Sequence, residues 1–418
     1  MSVASTACRA CGADRLRTFL DLGSTPLADA LVDPARPAAE ERRHPLVVAF
    51  CERCAVVQLR DQLPAEQLFP ADYPYHSSYS DLTLAHARAH IDGLVAEGRL
   101  GPGALLVEVA SNDGYLLRQA AEAGIAVLGI DPAPGPVAVA RAAGVPTVCG
   151  FFGRELAERL VAGTVGSYGP VQADVVVANN VAAHVPDLNG FLGAMRTLLR
   201  PDGLITIENP SVHELLRRNA FDTIYHEHLW YHGCVGMDGL TVHNGLHLND
   251  VEYFPDLHGG TLRYRVSRRP GRSAALTARL DEERAAGLHT FDAYAAFADR
   301  VDRARTALRN RLVALRAEGC SIAAYGAAAK GATLLNVADI GTDLVPYVVD
   351  RNTHKHGLRM PGTHQPILPT AELLRRRPDV VLLLAWNMRD EVLAQQADYT
   401  AAGGRWLVPV PEVAEVTP

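Results

Sequence analysis

The chain has 418 residues, 48% hydrophobic and 21% charged, with a formal net charge of −7. That length allows two or three domains with sizeable cores, and an acidic balance without any Lys/Arg block excludes a nucleic-acid surface. The N-terminus holds no apolar signal core and no apolar run approaches about 18 residues, so the chain is expected to be cytoplasmic, with no membrane partner.

Four of the seven cysteines fall as Cys8-x-x-Cys11 and Cys51-x-x-Cys54. Two thiolate knuckles converging on one tetrahedral ion is the zinc-ribbon pattern. A redox pair would need a thioredoxin-like βαβ context, and disulfides would need an exported chain, so structural Zn²⁺ is favoured. Cys149, Cys234 and Cys320 stand alone and read as packing residues. Residues 1–70 are expected to form a zinc-binding module whose core is too small to hold without metal. Pro26, Pro34, Pro37 and Pro45 forbid a long helix between the knuckles, leaving loop with short strands such as Leu46–Phe50.

The bridge Tyr73-Pro-Tyr-His-Ser-Ser-Tyr-Ser80 is dense in aromatic and hydroxyl groups, as a ligand lid or an interdomain packing patch would be. It leads to a helix near Leu82–Glu97. The apolar run Ala104–Val107 then enters Glu108-Val-Ala-Ser-Asn-Asp-Gly114 and the helical stretch from Tyr115. Strand, tight turn, helix opens a doubly wound α/β unit whose ligand lies beyond the carboxyl ends of the strands. The loop resembles the E-x-G-x-G-x-G turn of S-adenosylmethionine (SAM) methyltransferases, with Ala110 and Asn112 in place of two glycines. Asn tolerates positive φ; Ala is a real departure. A second strand, Ile125–Ile130, ends in Asp131, placed to accept two ribose hydroxyls of SAM or of a nicotinamide nucleotide. A buried strand from Asp174, a helix around Phe191–Arg200 and a strand ending at Glu208 complete the unit.

The strand from Asp174 exits into Asn179-Asn-Val-Ala-Ala-His184, so His184 faces the crevice. Next comes Phe221-Asp-Thr-Ile-Tyr225-His226-Glu227-His228-Leu-Trp230-Tyr231-His232. On a strand, alternation would put His226 and His228 on one face, as a metal site would need, but H-E-x-x-H is absent. Ionisable groups flanked by aromatics favour acid/base work over a surface polar run. Gly259-Gly260 precedes a strand, and residues 275–318 read as helical. A second Rossmann-like unit starts at Ser321, with a strand from Val345 ending at Asp350 and another over Asp379–Ala385. Gly326, Lys330 and Gly331 at its first helix suit phosphate oxygens; NAD, with Asp350 on its ribose, is the alternative.

Jointly and in this order, these elements resemble the SAM-dependent C-methyltransferases of deoxysugar biosynthesis, over essentially the whole chain. The resemblance rests on the cysteine knuckles, Ser111–Gly114, Asn179–His184, Ile224-Tyr-His-Glu-His228, Gly326-x-x-x-Lys330-Gly331, and Asp350-Arg-Asn…Lys355…Pro361-Gly362-Thr-His. It implies an α/β fold of three parts: the zinc-binding module, a SAM-methyltransferase domain over 71–270, and a C-terminal Rossmann-like domain over 271–418. It implies SAM held by Glu108, Ser111, Asn112, Gly114, Asp131, Asn179 and Asn180. His228 would be the base, with Tyr225, Glu227, His184 and Tyr79 around the sugar. Lys330, Gly331, Asn336, Asp350 and Lys355 would serve a dTDP-linked 4-keto-6-deoxy sugar, methylated at C3, with C5 on a similar sugar as the alternative. The protein is expected to be a monomer or weak homodimer. One departure is Trp230, where the family pattern has a smaller polar residue. From residues alone, an NAD-dependent nucleotide-sugar oxidoreductase or a non-catalytic sugar-nucleotide binder stays open.

Overall fold

The computed structural model describes residues 3–35, 41–68, 77–166 and 168–416. In the N-terminal part, β1 (Val3–Ala4), β2 (Leu16–Thr25), β3 (His44–Cys51), β4 (Val57–Leu59) and β5 (Asp61–Gln62) follow in order. β2, β3 and β4 pair antiparallel, and β1 pairs with β5. The ten-residue β2 is longer than the sequence led us to expect. It ends at Thr25 because Pro26 has no N–H to extend the ladder.

The central unit runs through β6 (Leu105–Val109), β7 (Ala126–Asp131), β8 (Thr147–Cys149), β9 (Ala173–Asn179) and β10 (Leu199–Pro210), all parallel. The helix between β9 and β10 is Leu188–Leu198, starting earlier than the apolar pattern indicates. Asp187 sets that start by accepting from the Gly190 N–H at 2.8 Å. A two-residue strand, β11 (Trp230–Tyr231), leaves this unit and pairs with β4, so the N-terminal sheet reads β11-β4-β3-β2. β12 (His247–Phe254) and β13 (Thr261–Ser267) return as an antiparallel pair, giving a seven-stranded sheet ordered β12-β13-β10-β9-β6-β7-β8. The strand order reverses between β6 and β9, which opens a crevice at their carboxyl ends.

Helices Ala274–Ala285 and Phe291–Ala317 lead to the third sheet. The longer one buries Tyr294, Phe297, Val301, Leu308, Leu312 and Leu315, a helical stripe. Tyr294 stacks on Phe50 of β3 at 4.6 Å, which seats this helix on the zinc-side sheet. The third sheet comprises β14 (Ile322–Tyr325), β15 (Val348–Asp350), β16 (Ile367–Pro369), β17 (Val380–Leu383), β18 (Arg405–Val408) and β19 (Ala414–Val416). Its order is β16-β15-β14-β17-β18-β19, parallel except for β19, with a second reversal between β14 and β17. Among the described residues, no helix is long and apolar enough to cross a membrane.

Candidate active site

The two cysteine knuckles are built alike. Cys8 O accepts from Gly12 N and Cys51 O from Ala55 N, both at 2.8 Å; Cys8 N donates to Ala13 O and Cys51 N to Val56 O. Gly12 and Ala55 both take positive φ, 71° and 57°, where the turn reverses. The four sulfurs lie within 4.8 Å of one another. Cys8–Cys54 and Cys11–Cys51 are each 3.6 Å apart, far beyond a disulfide and close to the edge of about 3.8 Å that a tetrahedron with 2.3 Å Zn–S bonds requires. The donor set therefore fits Zn²⁺, with all four positions filled by thiolates and none open for chemistry. Of the isolated cysteines, Cys234 is buried and Cys320 half-buried as packing requires, whereas Cys149 is exposed, contrary to expectation.

The loop after β6 adopts alternate left-handed residues, Ala110 at φ 57°, Asn112 at 50° and Gly114 at 77°. Ala110 thus accepts a conformation that costs an L-residue roughly 1–2 kcal/mol. Asn112 N and Ala133 N donate to the two carboxylate oxygens of Asp131, at 2.9 and 2.8 Å. Each oxygen keeps a second lone pair, so the carboxylate can still accept two hydroxyls. Burial raises the Asp131 pKa, against the pull of these two N–H donors. Asn112, Asp131, Asn179 and Asn180 line one cavity of about 1140 Å³; Glu108, Ser111 and Gly114 stand behind its wall. Ser111 packs on Gly129, where an added Cβ would lie 2.5 Å from its hydroxyl. Glu108 is fully buried, and that burial holds its carboxyl well above the usual range. The polar residues that line the cavity fit a SAM ribose at Asp131, and Phe151, Phe152 and Arg154 extend the same wall.

His226-Glu227-His228, whose alternation would share one face only on a strand, lies in a turn. His228 N donates to Tyr225 O at 3.0 Å, and regular pairing begins only at Trp230. The turn separates the two histidines. His226 donates from Nε2 to His44 O and Pro45 O, both 3.2 Å, and faces the N-terminal sheet. His228 lines the cavity with Tyr225, Glu227 and His184. Its Nδ1–H donates to Thr223 O at 3.1 Å, which leaves the Nε2 lone pair to accept from the Tyr225 hydroxyl, also 3.1 Å. Burial pushes its pKa down to about 3, so the imidazole is neutral. His184 donates from Nδ1 to Glu227 O at 2.6 Å, and the rings of His184 and His228 lie 4.9 Å apart. Glu227 is 6% exposed. Burial first, then the nearby Asp29 carboxylate, push its pKa up to about 8, which makes it a hydrogen-bond donor at neutral pH.

Lys330 enters the same cavity from the third sheet, beside Trp386, Asn387 and His258. Its ammonium bonds the Asn387 side chain and lies 5.1 Å from the Trp386 ring centroid. Burial lowers its pKa to about 8, opposed by Asp222. Asp222 is wholly buried and accepts from Trp386 Nε1 at 2.6 Å. The other residues expected to hold a sugar nucleotide do not line the cavity. Asp350 accepts from Ala327 N and Asn352 N, both at 2.7 Å, and Lys355 donates to Ala327 O. Asn336 bonds Pro361 O and Arg43. Gly331 permits close helix–strand packing, since a Cβ there would lie 2.9 Å from Gly326 O. Residues 73–76 of the expected lid and the Tyr79 side chain lie outside the described residues. Asp29, His258 and Trp386 reach the cavity with no local sequence signal; only the fold brings them there.

Comparison with known proteins gives a family for each part of the chain. Residues 8–69 match a zinc binding domain, 85–246 a methyltransferase domain, and 256–411 the C-methyltransferase C-terminal domain. The chain is 35% identical to C-methyltransferase NovU of Streptomyces niveus over 97% of its own length and 95% of that protein. An uncharacterized methyltransferase of Mycobacterium leprae (strain TN), ML2584, is 28% identical over 38% of this chain and 56% of its own. Magnesium protoporphyrin IX methyltransferase from Synechocystis PCC 6803 with bound SAH aligns at a TM-score of 0.35 and 15% identity, over 44% of this chain and 83% of that one. A methyltransferase domain leaves no place for the NAD-dependent oxidoreductase considered from the residues alone. The zinc module, the SAM crevice and the near full-length likeness to NovU show that the chain belongs to the family of SAM-dependent C-methyltransferases.

Proposed function

We propose that this enzyme methylates the carbon next to the ketone of a dTDP-linked 4-keto-6-deoxy sugar, at C3. We further propose that the division of labour follows the boundaries 1–70, 71–270 and 271–418. The observation that carries the reading is one cavity reached by the carboxyl ends of both doubly wound sheets, with His184, Tyr225 and His228 lining it together with Asp131 and Lys330. Its volume suits two ligands, being above the usual range for one drug-sized molecule.

Bound SAM supplies an electrophilic methyl group. The protein must supply a base for the C–H, donors for the developing enolate oxygen, and alignment. His228 Nε2 is the basic atom, because Thr223 O holds the proton on Nδ1. Burial disfavours an isolated imidazolium. Proton transfer from carbon creates imidazolium and enolate together, and their attraction in a buried site offsets the cost of either charge. Tyr225 can turn its hydroxyl from Nε2 to the enolate oxygen. Neutral Glu227, with one carboxyl oxygen unpartnered, suits a sugar hydroxyl. Lys330 presents a cation to the diphosphate.

Turnover with SAM and a dTDP-4-keto-6-deoxy sugar, followed by NMR of the product, tests the reading. A new methyl on C3 is expected. A methyl on C5 would move the reacting carbon, and no methylated sugar would overturn the substrate class. Two substitutions divide the site. Asp131→Ala should weaken SAM binding in calorimetry by about 1–3 kcal/mol, the scale of charged hydrogen bonds; unchanged affinity would detach Asp131 from the cofactor. Lys330→Ala should raise the KM for the sugar nucleotide and leave the SAM Kd as it was, and the reverse pattern would count against the diphosphate role.

A further inference from the structure

Among the contacts between the zinc module and the cavity region, one is made by a side chain beside a metal ligand. Arg9 follows Cys8, and its guanidinium is fully engaged. Nε donates to Gln58 Oε1 at 3.0 Å, Nη1 to Gln62 Oε1 at 2.9 Å, and Nη2 to Leu59 O at 2.9 Å. The same guanidinium carbon sits 4.8 Å from the centroid of the Trp230 ring, within cation–π range. Asn189 donates to Ala10 O at 2.9 Å and pins this knuckle to the helix that follows the His184 turn.

Trp230 is fully buried and carries the contact onward. Its indole N–H donates to Val185 O at 2.7 Å. Leu229 N and Trp230 N both donate to Ala183 O, at 2.7 and 3.2 Å, while Leu59 N donates to Leu229 O at 3.0 Å. Every strap point is thus a chain neighbour of one of the two cavity histidines: Ala183 and Val185 flank His184, and Leu229 follows His228. β11 has only two residues, too few to hold the turn before it by ladder bonds alone.

We infer that Arg9 is a positioning residue: stacked on Trp230 and bound to β4, it fixes the separation of His184 and His228 and makes the zinc knuckle the abutment of the catalytic turn. The histidine roles rest on the function proposed above; the mechanical coupling does not. Such a coupling matters because a misplacement of about 1 Å at a reacting centre can cost about 10²-fold in rate.

The test compares zinc-loaded wild type, Arg9→Met and Trp230→Phe by amide hydrogen exchange with mass spectrometry. Zinc content, SAM affinity and turnover are measured on the same samples. Met keeps the aliphatic stem and removes the guanidinium. In Arg9→Met, exchange should rise about tenfold or more in peptides covering 181–187 and 224–233, and stay at the wild-type level in 105–131. Zinc should remain at about one per chain. The kcat should fall by about ten- to a hundredfold with an unchanged Kd for SAM. Trp230→Phe keeps a ring under Arg9 and loses only the bond to Val185, so exchange should rise in 181–187 alone. In Arg9→Met, unchanged exchange in 224–233 overturns the inference, as does an equal rise across 105–131 and 322–350, which would mean general loosening. If Arg9→Met fails to fold, Arg9→Lys, which cannot make the bonds to Gln58, Gln62 and Leu59 together, decides on the same peptides by the same rule. If wild type does not methylate the 4-keto sugar, the substrate reading fails, while the exchange pattern still decides the coupling.

Discussion

His228→Asn is expected to cut turnover by about 10²–10⁴-fold, the usual range for losing a positioned general base, with SAM affinity unchanged. Asn retains an amide donor near the position of Nδ1 for Thr223 O, so the turn keeps its shape, but nothing replaces Nε2. The Tyr225 hydroxyl then loses this bond to an imidazole nitrogen. His184 would have to move to substitute: its ring centroid lies 4.9 Å from that of His228, on the separate turn after β9 where Glu227 O holds its Nδ1–H. Steady-state kinetics beside calorimetry with SAM checks this. Near wild-type turnover would make His184 the candidate base, since His226 faces the N-terminal sheet.

The second large effect concerns the metal. Cys51→Ser should reduce zinc well below one per chain and abolish turnover, while SAM affinity falls far less. Structural zinc in small modules contributes an apparent binding free energy of about 10–16 kcal/mol, which is folding free energy for the module that holds it. Cys51 ends β3 of the N-terminal sheet, and the fourth strand of that sheet is β11, directly after the His228 turn. Losing the metal therefore removes the support of the turn, whereas Asp131 and the loop after β6 belong to the seven-stranded sheet. Metal analysis, turnover and SAM titration of the variant measure the three terms separately. Full activity in a zinc-free variant would refute the dependence.

Much of this was legible in the sequence because it is encoded locally. The cysteine spacing specifies two knuckles whatever lies between them, and β6, its loop and the following helix follow one another without a break. Asn112 and Gly114 announce positive φ by residue type, whereas Ala110 adopts it because the loop between two packed elements imposes it. The turn at Tyr225–His228 was not legible as a turn. Its residues marked no turn, because what bounds it is β11, and the pairing partner of β11 is β4, far back in the chain. Nor was the clasp of Asp222 and Trp386, 164 residues apart, which helps frame Lys330. Asp350 and Asp131 looked equivalent in sequence, each closing a second strand. Both accept backbone N–H bonds from the neighbouring loop, but only Asp131 lines the shared cavity.

We propose that proton abstraction next to the ketone, by His228, precedes methyl transfer. Deuterium incorporation from D₂O into the sugar nucleotide, followed by NMR without SAM, reports that step alone. Wild type should exchange the hydrogen on C3 and His228→Asn should not. Exchange by His228→Asn at the wild-type rate would mean that another group removes the proton.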